Sequence, residues 1–129
     1  MLQGKCVCGA AGWVFEGEPD GATICNCTAC RRYGVLWIYG WLDESVRING
    51  STASFARGTE LTFEFCATCA AVVCWRGCDI HPGGRRRMAV NARLAEPESV
   101  GDLAVTQFDG LHTFTALKAD GRKVRDLWF

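Results

Sequence analysis

The sequence has neither an excess of one charge nor a long apolar run, and each absence excludes a class of protein. Its 129 residues include 14 Lys and Arg against 14 Asp and Glu. This balance gives no overall electrostatic attraction for nucleic-acid phosphates or for a membrane surface. No stretch approaches the roughly 20 apolar residues that cross a bilayer. We therefore expect neither a nucleic-acid nor a membrane partner.

Signals for export and for several domains are also missing. The first residues, MLQGKCVCGAAGWVF, lack the charged start, apolar run and cleavage site of a signal peptide. The chain has no proline- or serine-rich linker, no low-complexity tract and no clear internal repeat. We expect a soluble, cytoplasmic protein with one domain over residues 1–129, a length that suits a single core.

Helical periodicity is scarce, and short apolar or alternating runs recur between glycines, which predicts a mainly β fold. The segment 61–65 alternates most clearly, so we expect its apolar side chains to face a core, and Thr62 and Glu64 to face solvent. The pair Asp120-Gly121 predicts a hairpin turn. Further strands are predicted over 11–16, 35–42, 46–49, 54–57, 71–76 and 87–91, with hairpin strands over 112–119 and 123–128 and a helical turn near 98–103.

Cysteine is unusually frequent for a chain of this length, and most of its nine copies fall into three clusters. In a reducing compartment, clustered cysteines favour metal binding over disulfides, and the missing export signal argues against a secreted disulfide scaffold. The clusters read Cys6-Val7-Cys8, Cys25-Asn26-Cys27-Thr28-Ala29-Cys30 and Cys66-Ala67-Thr68-Cys69.

The first and third clusters together match a structural zinc site. Such a site takes four ligands in a tetrahedron, at ~2.3 Å from the metal for thiolates. Two turns with two cysteines each supply that number when they are brought together. We therefore predict that one zinc is held by Cys6, Cys8, Cys66 and Cys69.

The middle cluster offers three thiols and no obvious fourth partner. Three protein ligands and one open position are typical of catalytic zinc. We therefore expect the chemistry at Cys25, Cys27 and Cys30. Two alternatives stay open, namely a second structural zinc with a distant fourth ligand and a redox-active thiol set without metal.

The three motifs, in this order, resemble the family of glutathione-dependent formaldehyde-activating enzymes, which includes centromere protein V. That family has a C-x-C-G turn, a C-H-C-x-x-C-R-R stretch and an F-C-x-x-C-G turn at the end of a strand. The chain reads Cys6-Val7-Cys8-Gly9, then Cys25 to Arg32 as CNCTACRR, then Phe65 to Ala70 as FCATCA. The resemblance extends roughly from Gly4 to Trp128 and is specific because the motifs occur together.

The resemblance implies a small, zinc-stapled domain of twisted antiparallel sheets. It implies a structural zinc on the four outer cysteines and a second, catalytic zinc on the middle three. The implied activity is that of a carbon–sulfur lyase, which joins formaldehyde to glutathione as S-hydroxymethylglutathione or cleaves this adduct. The expected partners are a small thiol, with glutathione as co-substrate, and an aldehyde.

Two departures from the family pattern stand out. Asn26 replaces a histidine, and an amide cannot titrate, so any proton transfer by that histidine would be lost. Ala70 replaces a glycine, which is costly if this position needs a positive φ.

Several residues outside the clusters are candidates for lesser roles. Arg31 and Arg32 are the first candidates to bind the carboxylates of glutathione, and the run 85–87 is a second one that more simply forms a solvated surface.

His81 can shuttle protons or bind metal, although a loop histidine is more often neither, and His112 is expected to be structural. Cys74 is expected to be buried, Cys78 to be an incidental loop thiol or extra ligand, and the five tryptophans to form core or pocket walls.

Three functions remain open: a zinc carbon–sulfur lyase, a binding module with two structural zincs, and a thiol redox or metal-buffering protein. The state of the middle cluster discriminates among them. Exposed edge strands would also permit a homodimer.

Overall fold

Short strands dominate the computed structural model, which describes residues 1–128. Phe129, the last residue of the predicted domain, lies outside the described residues. The strands are β1 Leu2–Lys5, β2 Ala11–Phe15, β3 Ala22–Cys25, β4 Trp37–Trp41, β5 Val46–Gly50, β6 Thr52–Arg57, β7 Leu61–Cys66, β8 Val72–His81, β9 Arg85–Asn91, β10 Val105–Asp109 and β11 Thr115–Ala116. The helices are α1 Thr28–Tyr33 and α2 Pro97–Val100, with 3₁₀ turns at Pro82–Gly84, Ala92–Leu94 and Val124–Leu127.

The strands form two sheets. The small sheet has the order β1-β2-β5, and the large, eight-stranded sheet has the order β11-β10-β3-β4-β9-β8-β7-β6. Neighbouring strands are antiparallel except β10 and β3, which pair in parallel with Val105 opposite Ala22. The predicted mainly β fold with antiparallel sheets is therefore confirmed. No helix among residues 1–128 has the length and apolar character needed to span a membrane.

Strand β4 shows how the large sheet separates two apolar clusters. Side chains alternate between the faces of a strand. Ile38 is fully buried and packs with Trp13 of β2 and Val46 of β5 in the larger core. Trp37, its neighbour in the chain, belongs instead to a second cluster that contains Phe63 and two cysteines of the middle motif. One face of the sheet thus carries the core, and the other supports the region around Cys27 and Cys30.

Most predicted strands are confirmed with small shifts in their ends, but the hairpin around Asp120-Gly121 is wrong. Residues 110–113 form a turn, because the Asp109 carboxylate accepts hydrogen bonds from the backbone N–H groups of His112 and Thr113. The following β11 pairs with β10. Beyond Gly121 the chain enters a 3₁₀ turn whose Val124 is fully buried. The helical turn predicted near Glu98–Leu103 is found slightly earlier, as α2.

The prediction that Glu64 faces solvent is also wrong. Glu64 is only 7% exposed. Its carboxylate forms an ion pair with Arg76 on the neighbouring strand β8 and accepts a hydrogen bond of 2.8 Å from Thr52 Oγ1 on β6. Cross-strand partners on both sides therefore compensate for the burial of this charge, which an alternating pattern within one strand does not reveal.

We expect the substitution Arg76→Met to lower the free energy of unfolding by about 2–4 kcal/mol, because it leaves the Glu64 carboxylate buried without its cation. Urea unfolding monitored by tryptophan fluorescence measures this loss. Arg85→Met is the matched control, since the Arg85–Glu44 pair is more than 40% exposed on both sides and should change the free energy of unfolding much less. Equal losses in the two variants would contradict the assigned role of the buried pair.

Candidate metal centre and active site

The sulfur atoms of Cys6, Cys8, Cys66 and Cys69 converge in the structure. All four lie within 4.8 Å of one another, and the distances Cys6–Cys8 and Cys8–Cys66 are both 3.6 Å. Ligand sulfurs of a tetrahedral zinc are separated by ~3.8 Å when each lies ~2.3 Å from the metal. The four side chains, which we call the four-thiol cluster, thus have the number and spacing that zinc requires, and the cluster can hold zinc.

Backbone N–H groups point at these sulfurs. Ala11 donates to Cys6 Sγ at 3.3 Å, and Thr68 donates to Cys66 Sγ at 3.4 Å. The backbone N–H groups of Ala71 and Cys8 lower the pKa of Cys69 to about 6. Such donors stabilise the negative thiolate, which is the form that binds a metal.

Ala70 occupies the position where the family pattern has glycine. Its φ is +65°, in the left-handed region that favours glycine. The turn itself is regular, since the N–H of Ala70 donates to the carbonyl oxygen of Cys66 at 2.9 Å. The departure at this position therefore leaves the turn intact and adds backbone strain.

The middle cluster, formed by Cys25, Cys27 and Cys30, is held by two local elements, the end of β3 and the start of α1. Cys25 ends β3, Cys27 is the N-cap of α1, and Cys30 lies inside that helix. The sequence analysis did not predict α1, although Gly34, with a φ of +66°, ends it in the usual way. All three sulfurs lie within 4.8 Å of one another. The cluster can therefore hold zinc through three thiolates.

Each sulfur of the middle cluster accepts a hydrogen bond. The backbone N–H of Cys27 donates to Cys25 Sγ at 3.4 Å, and that of Cys30 donates to Cys27 Sγ at 3.3 Å. Trp37 Nε1 donates to Cys30 Sγ at 3.3 Å, and Arg57 Nη1 donates to Cys27 Sγ at 3.2 Å. Arg57 comes from the end of β6, so its part in the site depends on tertiary structure, and sequence analysis missed it.

Because of these contacts, the thiols of the middle cluster differ in pKa. Burial raises the pKa of Cys27, but the N–H of Cys30 and the Arg57 guanidinium outweigh it and bring the pKa to about 7. Burial raises the pKa of Cys30 to about 12, although Trp37 acts in the opposite direction. Metal binding at this cluster must therefore displace protons from some thiols, which makes the affinity depend on pH.

Asn26 fixes the loop that follows β10. Its Nδ2 donates to Asp109 Oδ1 at 3.0 Å, and its Oδ1 accepts the N–H of Leu111 at 3.0 Å. Asn26, together with backbone donors of the loop, lowers the pKa of Asp109 to about 2. The loop lies so close to the middle cluster that a Cβ on Gly110 would be 2.8 Å from Cys25 Sγ. Asn26 thus has a structural contact at the position where the family pattern has histidine.

A cavity of about 470 Å³ opens on the middle cluster, and its walls are largely aromatic. We call it the aromatic cavity. Arg57 and Glu60 are the charged side chains among the described residues that line it, apart from the thiols. Its aromatic residues are Trp37, Tyr39, Phe63, Trp75, Phe108 and Phe114, so the predicted role of tryptophans as pocket walls is confirmed for two of them.

A second cavity, of about 360 Å³, lies against the same cluster, because Cys25 and Cys30 line both. Its wall carries the cations Arg31, Arg93 and Arg122, and we call it the arginine cavity. Arg32, the other predicted substrate-binding residue, lines neither cavity and donates to the carbonyl oxygen of Thr28 at 3.0 Å.

The remaining candidates lie away from the middle cluster. His81 is exposed at the end of β8 and contacts Trp41 edge-on, while His112 lies exposed in a turn rather than on the predicted strand. Cys74 is fully buried as predicted. Cys78 lies on β8 rather than in a loop, is exposed, and belongs to neither thiol group found among residues 1–128.

The run Arg85–Arg87 lies on β9 and lines neither of the two cavities. Arg85 stacks on Trp41 at 3.9 Å and pairs with Glu44, so it belongs to an exposed surface network.

Fold and site together define a small β protein with two cysteine clusters that can hold zinc. The family model of glutathione-dependent formaldehyde-activating enzymes matches residues 1–100. The chain therefore belongs to this family, as the three cysteine motifs indicated. No curated protein matches the chain. The segment 101–128 lies outside the family match and contributes Phe108, Gly110 and Phe114 to the aromatic cavity.

A solved structure of a Rhodobacter sphaeroides protein has a similar fold. Its TM-score is 0.60 at 24% sequence identity, and the match covers 81% of this chain and all of the other. At this identity the similarity supports the fold alone.

We predict two zinc ions per chain and one in the variant Cys27→Ser, because the middle cluster would lose one of its three thiolates. Elemental analysis of protein purified in zinc-containing buffer measures the ratio. Cys78→Ser is the matched control and should keep two. Two zinc ions in Cys27→Ser would contradict a metal at the middle cluster.

We predict that Ala70→Gly raises the free energy of unfolding by up to about 1 kcal/mol, since glycine adopts this φ without strain. Denaturant unfolding of the zinc-loaded protein measures the gain. Ala67→Gly, in the same turn but without a positive φ, serves as the control and should give no gain. A stability loss in both variants would show that Ala70 is not strained.

Proposed function

We propose that this protein is a zinc-dependent carbon–sulfur lyase that acts on adducts of a thiol with an aldehyde, such as S-hydroxymethylglutathione. The observation that carries the proposal is the three-thiol cluster on the boundary of two cavities of different chemistry. Membership of the family supports it. Under this proposal the four-thiol cluster holds a structural zinc, and the middle cluster holds the zinc near which the reaction occurs.

A zinc bound by three thiolates is a modest Lewis acid and supplies a position for the substrate's sulfur. The protein's own contribution begins with the hydrogen bonds to Cys25, Cys27 and Cys30. They hold the three sulfurs in one arrangement, and because Cys25 and Cys30 line both cavities, a fourth sulfur can reach the cluster from there. A closed site with four protein ligands would lack this position.

The arginine cavity suits the thiol half of the adduct. Glutathione carries two carboxylates, which arginine binds well because its planar guanidinium offers paired donors. Arg93, whose guanidinium lies over the Trp128 ring at 5.4 Å, lines this cavity. Arg31 and Arg122 line the same cavity. We assign the carboxylates of the thiol to these three side chains, and no role to Arg32.

Arg57 suits the oxygen of the adduct. In cleavage, the carbon–sulfur bond breaks and its electron pair stays on sulfur, while the hydroxyl loses its proton and its oxygen becomes the carbonyl oxygen of the aldehyde. Charge develops on this oxygen, and a fixed guanidinium stabilises it. Glu60, the carboxylate lining the same cavity, accepts the proton in our proposal, since Asn26 cannot titrate.

The proposal predicts that zinc-loaded protein accelerates exchange between S-hydroxymethylglutathione and its components above the spontaneous rate. Exchange NMR at equilibrium measures both rates. Arg57→Met should lower kcat by on the order of 100-fold, a size typical for loss of one charge-stabilising donor, and Arg57→Lys should recover part of it. The control is Arg47→Met, which should retain full activity. Arg47 lies on β5 and forms an exposed ion pair with Glu16.

Lack of acceleration by wild-type protein with both metals bound, for S-hydroxymethylglutathione and for glutathione adducts of larger aldehydes alike, would contradict the proposal. Reversible disulfide formation among Cys25, Cys27 and Cys30 in such a protein would support the thiol redox alternative instead.

A further inference from the structure

We infer that the aldehyde half of the substrate is apolar and about the size of an aromatic ring, rather than formaldehyde. This inference rests on the proposed function and names the substrate class of the same site. Its starting point is the mismatch between the volume of the aromatic cavity and the volume of the smallest aldehyde.

The aromatic cavity, at about 470 Å³, falls in the range of roughly 300–1,000 Å³ found for sites of larger organic ligands. Formaldehyde has two heavy atoms and would fill on the order of 60 Å³, taking ~30 Å³ as the share of one water molecule. Formaldehyde would therefore leave most of the cavity to water.

The thiol half of the adduct does not account for the excess volume. Cys25 and Cys30 line both cavities, so a sulfur bound at the middle cluster lies on the boundary between them. The three arginines lie on one side, and the aromatic walls lie on the other. The arginines can bind the carboxylates of the thiol. The aromatic cavity is then the space available for the group attached to the aldehyde carbon.

Apolar surface makes up most of the wall of the aromatic cavity, and its polar side chains besides the thiols include Arg57, Thr59, Glu60 and Tyr39. Trp37 Nε1 is already engaged with Cys30 Sγ, and Arg57 contacts Cys27 Sγ. The ring of Phe63 packs against that of Trp37, with a centroid distance of 6.1 Å. The wall is thus mainly apolar and rich in rings, which suits an apolar substituent.

Phe114 provides an independent observation at the rim. It is 72% exposed and has a φ of +54°, a conformation that is costly for a bulky residue. It is held there by a hydrogen bond of 2.7 Å from its N–H to the carbonyl oxygen of Asp109, and by an edge-on contact with Phe108 at 5.0 Å. An aromatic ring held in this position at the mouth of an apolar cavity is available for contact with a ligand.

The rim also belongs to the part of the chain outside the family match. Phe108 and Phe114 follow residue 100, where the match ends. The cysteine motifs precede it. The metal chemistry is thus encoded in the segment shared with the family, and part of the wall that contacts the substrate is encoded outside it.

The test compares two inert thioethers, S-methylglutathione and S-(2-phenylethyl)glutathione, by calorimetry with zinc-loaded wild-type protein. We expect the phenylethyl compound to bind at least about tenfold more tightly, because burying roughly 60 Å² of apolar surface is worth a factor of about ten. Phe114→Ala should reduce this preference about threefold or more. Phe55→Ala, an exposed aromatic on β6 that does not line the cavity, should leave it unchanged.

Equal affinities for the two thioethers in wild-type protein would overturn the inference without needing any variant. A preference that survives Phe114→Ala would overturn the assignment of the ring to this cavity. The cleavage assay, run with the glutathione adducts of formaldehyde and of phenylacetaldehyde, separates the two proposals. Faster cleavage of the formaldehyde adduct overturns only the inference, whereas no cleavage of either adduct overturns the proposed function as well.

Discussion

The convergence of thiol sulfurs from distant parts of the chain is the constraint on which the rest of the structure depends. Cys6 and Cys8 meet Cys66 and Cys69 across nearly half the sequence. Four partly charged sulfurs this close repel one another unless a cation and N–H donors offset the charge. The tight turns that carry the cysteines are shaped to supply those donors. Zinc binding at such a cluster adds directly to the stability of the fold.

The sulfurs of the middle cluster also need donors that offset their negative charge, but these donors come from other parts of the structure. Its donors come from a helix terminus, from Trp37 on β4 and from Arg57 on β6. Because Arg57 lies 30 residues from Cys27 in the chain, the arrangement of the sulfurs depends on the packing of the large sheet. The four-thiol cluster is organised mainly by its own turns. This difference agrees with a structural task for one cluster and a chemical task for the other.

The sequence predicted the cysteine clusters well because metal-ligand spacing is a local property. Strands such as β2, β4 and β7 were also predictable, since they are rich in aromatic and branched side chains. Strand β3 was missed, because it is four residues long and its parallel partner β10 lies about 80 residues away. Arg57 was missed for a related reason, since no motif marks a side chain whose role is defined by a contact between β6 and the N-cap of α1.

The errors near the C-terminus have one physical origin. Asp120-Gly121 carries a hairpin signal, and Gly121 does adopt a positive φ. However, the Asp120 carboxylate binds the N–H and guanidinium of Arg122 and the amide of Gln107. Its hydrogen bonds close a local loop instead of starting a strand. The same holds for Asp109, whose carboxylate organises the turn after β10. Short-range side-chain hydrogen bonds thus override β propensity in this region.

The parallel pairing of β3 with β10 has a consequence for the newborn protein on the ribosome. The outer edge of β3, which ends at Cys25, lacks its neighbour until residues 105–108 have been synthesised. Cys25, Cys27 and Cys30 therefore remain uncovered on their Gly110 side for most of translation. During that interval they stay open to oxidants and to copper ions, whereas both halves of the four-thiol cluster have already been made by residue 69.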